Sequence, residues 1–148
     1  MEHLKRNKIP RIILYDYQRK AYKKLIDSLI KTNRALMVLA TGLGKTILSI
    51  MLVKYFFTEK QRVLFLCHDN GILNKSFNDY KKFMGNHYSY AKFYGQEKNW
   101  NADRNHFVFA TFQSMRAHLD NEKMKKKLFS SKHFSFIVVD ESHHAQAE

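Results

Sequence analysis

Two short stretches of the sequence combine residue types that bind phosphate and activate water. The first is ATGLGKT, residues 40–46, in which two glycines precede a lysine and a threonine. The second is DESHH, residues 140–144, in which two carboxylates are adjacent. Lysine and backbone N–H groups stabilise phosphate oxygens, and hydroxyl and carboxylate oxygens are ligands that Mg²⁺ accepts. Together the two stretches predict a site for a nucleotide and Mg²⁺.

The glycine-rich stretch has the order of residues that cradles a phosphate. An apolar run leads into it and a helical pattern begins at Lys45, so backbone N–H groups and the positive end of the helix dipole would point at the anion. Gly42 and Gly44 can adopt positive φ and let the backbone approach closely. Lys45 would reach the β- and γ-phosphates, and Thr46 would bind Mg²⁺. Leu39 stands where the common pattern G-x-x-x-x-G-K-[ST] has its first glycine.

The acidic pair follows the apolar run FSFIVVD, residues 134–140. Open α/β sheets bind ligands at the carboxyl edge of their strands, which is where such a pair would lie. Asp140 would hold Mg²⁺, and Glu141 would orient and deprotonate the attacking water. The two histidines that follow could suggest zinc, but no third ligand is near in the sequence and the single cysteine, Cys67, is far off.

Apolar runs alternate with amphipathic stretches along the whole chain, without repeats or low-complexity tracts. This alternation is typical of βαβ units and a mostly parallel sheet. The runs at 35–39 and 134–140 are continuously apolar, which predicts strands buried on both faces. The predicted helices are 16–31, 45–57, 72–83, 113–119 and 123–129, and the predicted strands are 35–39, 62–67, 87–93, 107–111 and 134–140.

Composition restricts the class of protein and its partners. The 148 residues suit one domain, and 26 Lys and Arg against 13 Asp and Glu give a formal net charge of +13. Such an excess of positive charge favours a polyanionic partner, since bound Lys and Arg release counterions from phosphates. One cysteine allows no intrachain disulfide, and no apolar run is long enough to span a membrane. We therefore expect a cytoplasmic protein that contacts nucleic acid and no membrane.

ATGLGKT and DESHH resemble motifs I and II of helicase superfamily 2, and more narrowly the DEAH-type motors of the type III restriction enzyme subunit. Three further stretches resemble motifs of the same family. LYDYQ (14–18) is similar to the Q motif, VLFLCHDNGIL (63–73) to motif Ia, and FATFQS (109–114) to the motif that contacts the nucleic-acid backbone. Tyr15 and Asp69 stand where the family often has arginine.

The resemblance implies a P-loop NTPase (RecA-like) fold, which is a parallel sheet with helices on both faces. It implies ATP and Mg²⁺ as cofactors and nucleic acid as partner, with DNA favoured over RNA. Gln18 would hydrogen-bond the adenine edge, and His143 would take part in coupling. The implied cofactor-binding residues are Tyr17, Gln18, Thr41, Gly42, Leu43, Gly44, Lys45 and Thr46. The implied catalytic residues are Lys45, Asp140 and Glu141, the Mg²⁺ ligands are Thr46 and Asp140, and the nucleic-acid contacts are Thr111, Gln113 and Ser114.

In this family, hydrolysis and movement need two RecA-like domains, and the second carries an arginine finger. We therefore expect residues 1–148 to be a single N-terminal RecA-like ATP-binding domain, with residues 1–13 as a basic lead-in and the second domain absent. A further strand of the family's sheet lies between the phosphate-turn strand and the acidic strand, so the sheet is expected to be incomplete at its C-terminal end. The main hypothesis is the ATP-binding domain of an ATP-dependent helicase or translocase, which hydrolyses ATP only when joined to its second domain.

Two alternatives from other classes remain open. The chain could be a catalytically silent module that keeps the fold of a motor domain and binds nucleic acid or a partner. The departures at Leu39, Tyr15 and Asp69 permit this, whereas the intact groups of the phosphate turn and the acidic pair argue against it. The chain could also be an unrelated P-loop enzyme such as a kinase, against which FATFQS and DESHH argue.

Overall fold

The computed structural model describes residues 8–40, 42–98, 104–121, 129–130 and 132–140. Helices and strands alternate through most of this part of the chain. No helix in the described ranges combines the length and apolar character needed to cross a bilayer. The elements are α1 (Asp16–Thr32), α2 (Lys45–Phe56), β1 (Val63–Cys67), α3 (Asn70–Met84), β2 (Tyr90–Tyr94), β3 (Glu97–Lys98), β4 (Phe107–Thr111), α4 (Phe112–Asp120) and β5 (Phe136–Val139).

The strands form one sheet in the order β3-β2-β4-β1-β5. Strands β2, β4, β1 and β5 are parallel to their neighbours, and the short β3 returns antiparallel to β2. In the register of the central strands, Phe65 of β1 lies between Phe109 of β4 and Val138 of β5. The carboxyl ends of the parallel strands therefore meet at one edge, as the α/β prediction requires.

Helices pack on both faces of this sheet, which confirms the predicted architecture. Side chains alternate along each strand, so one set of residues faces α2 and α3 and the other faces α4. The first face includes Phe65, Phe109 and Tyr80 of α3, and the second includes Val108 and Met115 of α4. Both helical layers are those that the family resemblance implied.

Most predicted elements are present within a few residues of their expected limits. Helix α1 begins and ends within one residue of its prediction. The strand predicted at 87–93 begins only at Tyr90. The helix predicted at 123–129 lies almost entirely outside the described residues.

The prediction of a buried strand at 35–39 is wrong. Residues 34–40 belong to no strand, and the side chains of Leu36 and Val38 are 76% and 83% exposed. A strand exists only where a neighbour completes its hydrogen bonds. The sheet order places no described strand beside this segment. The segment thus has the apolar residues of a buried strand, but no described strand lies beside it to form the hydrogen bonds.

Strand β5 is also less covered than its sequence predicts. Its side chains alternate, with Phe136 and Val138 half-buried against the α2 and α3 side and Ile137 and Val139 exposed. The expectation of a strand buried on both faces is therefore wrong for β5. The cause is its position: among the described strands it pairs with β1 alone, and α4 packs over β2 and β4 instead. This open edge agrees with the expectation of an incomplete sheet.

Candidate functional site

The phosphate turn has the backbone geometry that its glycines predict. Gly42 and Gly44 adopt φ of 83° and 84°, in the left-handed region. Gly44 is the N-cap of α2, and its carbonyl accepts the first helical hydrogen bond from Leu48 at 3.0 Å. Lys45 and Thr46 form the first turn of α2 and are half-buried. The sequence prediction for this turn extends to Thr41, which lies outside the described residues.

Gln18 connects α1 to the phosphate turn. Its side chain is buried, its Oε1 accepts from the backbone N–H of Tyr15 at 2.9 Å, and its Nε2 donates to the carbonyl oxygen of Leu43 at 3.1 Å. A side-chain amide has two donor and two acceptor positions. One of each is occupied here. The amide thus ties α1 to the phosphate turn, and the adenine contact stays a prediction.

Two tyrosines stand beside the turn and form an exposed aromatic surface. Tyr15 and Tyr17 stack with ring centroids 6.0 Å apart and an interplanar angle of 5°. The hydroxyl of Tyr17 also donates to the carbonyl oxygen of Leu43, at 3.3 Å. Parallel exposed rings suit stacking against a planar base. Sequence reasoning selected Tyr17 and missed Tyr15, although the spacing of one residue at a helix start was a usable signal.

Asp140 lies at the carboxyl edge of the sheet, directly after β5. Its backbone N–H donates to the carbonyl oxygen of Leu66 at 2.8 Å, which continues the pairing of β5 with β1. Burial raises the pKa of Tyr80 above its usual range, and the negative charge of Asp140 raises it further. The hydroxyl of Tyr80 is itself bonded to Ser49 of α2, so Asp140 is near the helix that carries Lys45. Glu141 and His143 lie outside the described residues.

The donor set at this edge fits Mg²⁺. A threonine hydroxyl and an aspartate carboxylate are hard oxygen ligands, and Mg²⁺ binds through few carboxylates together with phosphate oxygens. Thr46 is the second residue of α2, and Asp140 directly follows β5. Gly42 adds open space, since a Cβ placed on it would meet no atom within 4 Å. A phosphate can therefore approach the turn backbone at that point.

The residues predicted to contact nucleic acid follow β4 at the same edge. Thr111 is the N-cap of α4: its Oγ1 accepts from the N–H of Ser114 at 3.2 Å and donates to Ser114 Oγ at 3.0 Å. Ser114 Oγ also accepts from the N–H of Gly95 at 3.2 Å. Both side chains are buried, whereas Gln113 is exposed. The two hydroxyls thus build the start of α4, and Gln113 is the member of the predicted set that faces solvent.

The family model described as "Type III restriction enzyme, res subunit" matches residues 11–148. The chain belongs to this family. Two solved structures share the fold of the chain of 148 residues. The chain spans a small part of the first protein and about half of the second. At identities below one in five, this likeness establishes the fold alone.

The first of these structures is a nuclease-deletion mutant of the Type ISP restriction-modification enzyme LlaGI in complex with a DNA substrate mimic. It matches with a TM-score of 0.65 and 19% identity, over 89% of the chain of 148 residues and 15% of the LlaGI chain. The second is the UvsW helicase from bacteriophage T4, with a TM-score of 0.59, 15% identity, and coverage of 91% and 55%. A search of curated proteins finds no match.

Asp69 has a structural role in this member of the res-subunit family. It is the N-cap of α3, and its Oδ1 accepts from the backbone N–H of Ile72 at 3.0 Å. Aspartate is among the best N-cap residues because its carboxylate satisfies an otherwise unpaired N–H group. Asp69 thus caps a helix where the family often has a cationic side chain. An Asp directly before a predicted helix is a common cap signal, so the sequence could have predicted this role.

Proposed function

We propose that this chain is the ATP-binding motor domain of an ATP-dependent helicase or translocase that acts on DNA. The observation that carries the proposal is the phosphate turn itself, in which two positive-φ glycines lead into Lys45 and Thr46 at the start of α2. The carboxyl edge of a parallel sheet, where Asp140 lies, is where this class of fold binds ligands. Membership of the res-subunit family supports the same assignment.

In the proposed site, Lys45 and the N–H groups of the turn hold the phosphates, with the N-terminus of α2 directed at the anion. Thr46 and Asp140 would hold Mg²⁺, which would supply positive charge to offset the negative charge of phosphoryl transfer. Glu141 orients the attacking water and accepts its proton. Gln18 reads the adenine edge with its remaining donor and acceptor, and the tyrosine pair beside it provides a stacking surface.

The proposed DNA contact is made at the same edge of the sheet. The exposed amide of Gln113 suits phosphate and sugar oxygens, which position a duplex without reading its sequence. The net charge of +13 supplies the electrostatic attraction. The LlaGI relative was solved with a DNA substrate mimic, which favours DNA over RNA for this chain.

Hydrolysis is proposed to need a second RecA-like domain, which would supply an arginine finger. His143 is proposed to couple ATP hydrolysis to movement. An arginine finger is worth about 10³–10⁵ in turnover in other phosphoryl-transfer proteins. The chain of 148 residues on its own is therefore expected to bind Mg-ATP weakly and to hydrolyse it slowly or not at all. Rapid turnover by the purified chain would contradict the proposed need for a second domain.

Lys45→Ala is expected to weaken Mg-ATP binding about 10- to 100-fold in titration calorimetry. The lysine makes a charge-assisted hydrogen bond to phosphate, and such bonds contribute about 1.5–3 kcal/mol. The matched control is Lys54→Ala, because Lys54 lies on the same helix but is exposed and donates to the carbonyl oxygen of Phe83. Equal affinity in Lys45→Ala and wild type would exclude the turn as the phosphate site.

Gln113→Ala is expected to weaken duplex DNA binding about two- to fivefold at every sequence tested, since loss of one backbone contact leaves base preference unchanged. Binding by fluorescence anisotropy should fall steeply as salt rises. Asn86→Ala is the control, as Asn86 is exposed and follows α3 at the opposite edge of the sheet. A Gln113→Ala variant that binds DNA like wild type would remove this residue from the interface. DNA binding without Mg-ATP binding in wild type would favour the silent module.

A further inference from the structure

The hydroxyl of Tyr80 is part of a buried hydrogen-bond chain that ends on the phosphate turn. Tyr80 lies on α3 and is fully buried, and its Oη is 2.8 Å from Ser49 Oγ on α2. Ser49 Oγ donates to the carbonyl oxygen of Thr46 at 2.7 Å. Because the single hydroxyl proton of Ser49 is used on that carbonyl, Tyr80 is the donor in the first bond. The chain therefore runs from α3 through Ser49 to the residue proposed to bind Mg²⁺.

Packing alone does not account for this hydroxyl. The ring of Tyr80 lies 5.7 Å from that of Phe65 and 5.4 Å from that of Phe109, measured between centroids. A phenylalanine would make the same ring contacts without the cost of burying a polar group. Among the described residues the hydroxyl is bonded to Ser49, in the second turn of α2. Its specific contribution is therefore to the placement of α2 relative to α3.

We propose that Tyr80 is a positioning residue for the phosphate turn, which acts through Ser49 to fix the carbonyl of Thr46. This inference rests on the proposed function, because it assigns Thr46 to a Mg²⁺–nucleotide site. Burial raises the pKa of Tyr80, so the hydroxyl keeps its proton and can donate to Ser49.

Tyr80→Phe tests the proposal, with Tyr90→Phe as a matched control. The Tyr90 hydroxyl is also bonded, to the carbonyl oxygen of Gly85 at 2.7 Å, its ring stacks on Phe107, and burial raises its pKa as it does for Tyr80. Gly85 follows α3 at the opposite edge of the sheet from the phosphate turn. Each variant therefore removes one tyrosine hydroxyl, which is bonded to α2 in Tyr80 and to the loop after α3 in Tyr90.

Two measurements separate positioning from general stability. Hydrogen exchange by mass spectrometry should be about 3–10-fold faster for the α2 amides in Tyr80→Phe, the size of one hydrogen bond, and unchanged there in Tyr90→Phe. Calorimetry should show Mg-ATP binding weakened about 3–10-fold in Tyr80→Phe, while ATP without Mg²⁺ binds within about twofold of wild type. A merely structural role would not change the ratio of these two affinities.

Ser49→Ala breaks the same chain at its middle and should match Tyr80→Phe in both measurements. The double variant should be no worse than either single variant, because one break already disconnects the chain. If Tyr80→Phe fails to fold, Ser49→Ala carries the test. Unchanged exchange in α2 would overturn the proposal whatever the nucleotide result. If wild type binds no Mg-ATP, the proposed function fails, whereas faster exchange in α2 would still establish the hold on the turn.

Discussion

Gly44→Ala is expected to lower the free energy of unfolding by about 2–4 kcal/mol and to remove Mg-ATP binding. An alanine in the left-handed region costs about 1–2 kcal/mol. Gly44 lies there with φ of 84°, and an added Cβ would overlap Gln18 Nε2. Moving the Gln18 amide away would break its bonds to Tyr15 and Leu43, at about 0.5–1.5 kcal/mol each. Urea unfolding and titration calorimetry measure the two effects.

Gly42→Ala is the control for this prediction. Its φ of 83° gives the same backbone strain, but a Cβ there meets nothing within 4 Å. The expected cost is therefore about 1–2 kcal/mol, which is the strain alone. Adding Gln18→Ala to Gly44→Ala removes the overlap and should make the two substitutions less than additive. Equal destabilisation by Gly42→Ala and Gly44→Ala would show that the contact with Gln18 does not constrain the turn.

Phe109→Ala is expected to lower the free energy of unfolding by about 3–5 kcal/mol, which is the usual cost of removing a buried aromatic ring. Phe109 is fully buried in β4, with ring centroids 5.3–5.4 Å from those of Phe65, Phe77 and Tyr80. Domains of this kind are stable by about 5–15 kcal/mol. The urea concentration at the midpoint of unfolding should therefore be much lower for the variant than for wild type.

Leu36→Ala is the comparison for Phe109→Ala, because both positions carry a large apolar side chain. Leu36 is 76% exposed, and substitutions at such positions usually change stability by no more than about 0.5 kcal/mol. A large loss of stability in Leu36→Ala would mean that the segment before the phosphate turn packs against the rest of the protein. A small loss in Phe109→Ala would contradict the assignment of one core between β4 and α3.

The contrast between Phe109 and Leu36 also shows how far sequence reasoning reaches. Amphipathic periodicity located the helices, and short apolar runs located β1 and β4, because those patterns depend on a residue's own neighbours in sequence. The run at 35–39 is apolar throughout, like β1, but lies beside no described strand. Burial of an apolar run depends on what covers it, and that is a property of topology.

The candidate site divides in the same way. The positive φ of the turn glycines and the opening of α2 at Lys45 were predictable, since both follow from local residue types. The bond between Gln18 and Leu43 joins residues 25 positions apart, and no local pattern specifies it. Tyr80 was assigned only to a helix, because a buried hydroxyl is identified as functional by its partner and not by its spacing. The roles of Glu141 and His143 stay predictions.

Among the described strands β5 pairs only with β1, and its open side affects how molecules of this protein meet one another. An edge strand presents unpaired N–H and C=O groups, and β5 adds exposed Ile137 and Val139 beside them. The charge of +13 opposes such encounters, because like-charged molecules repel until salt shortens the range of the field to about 10 Å or less. Colloidal stability should thus be greatest in dilute buffer. Raised salt releases bound polyanions and screens the repulsion, so that the β5 edges of two molecules can come into contact.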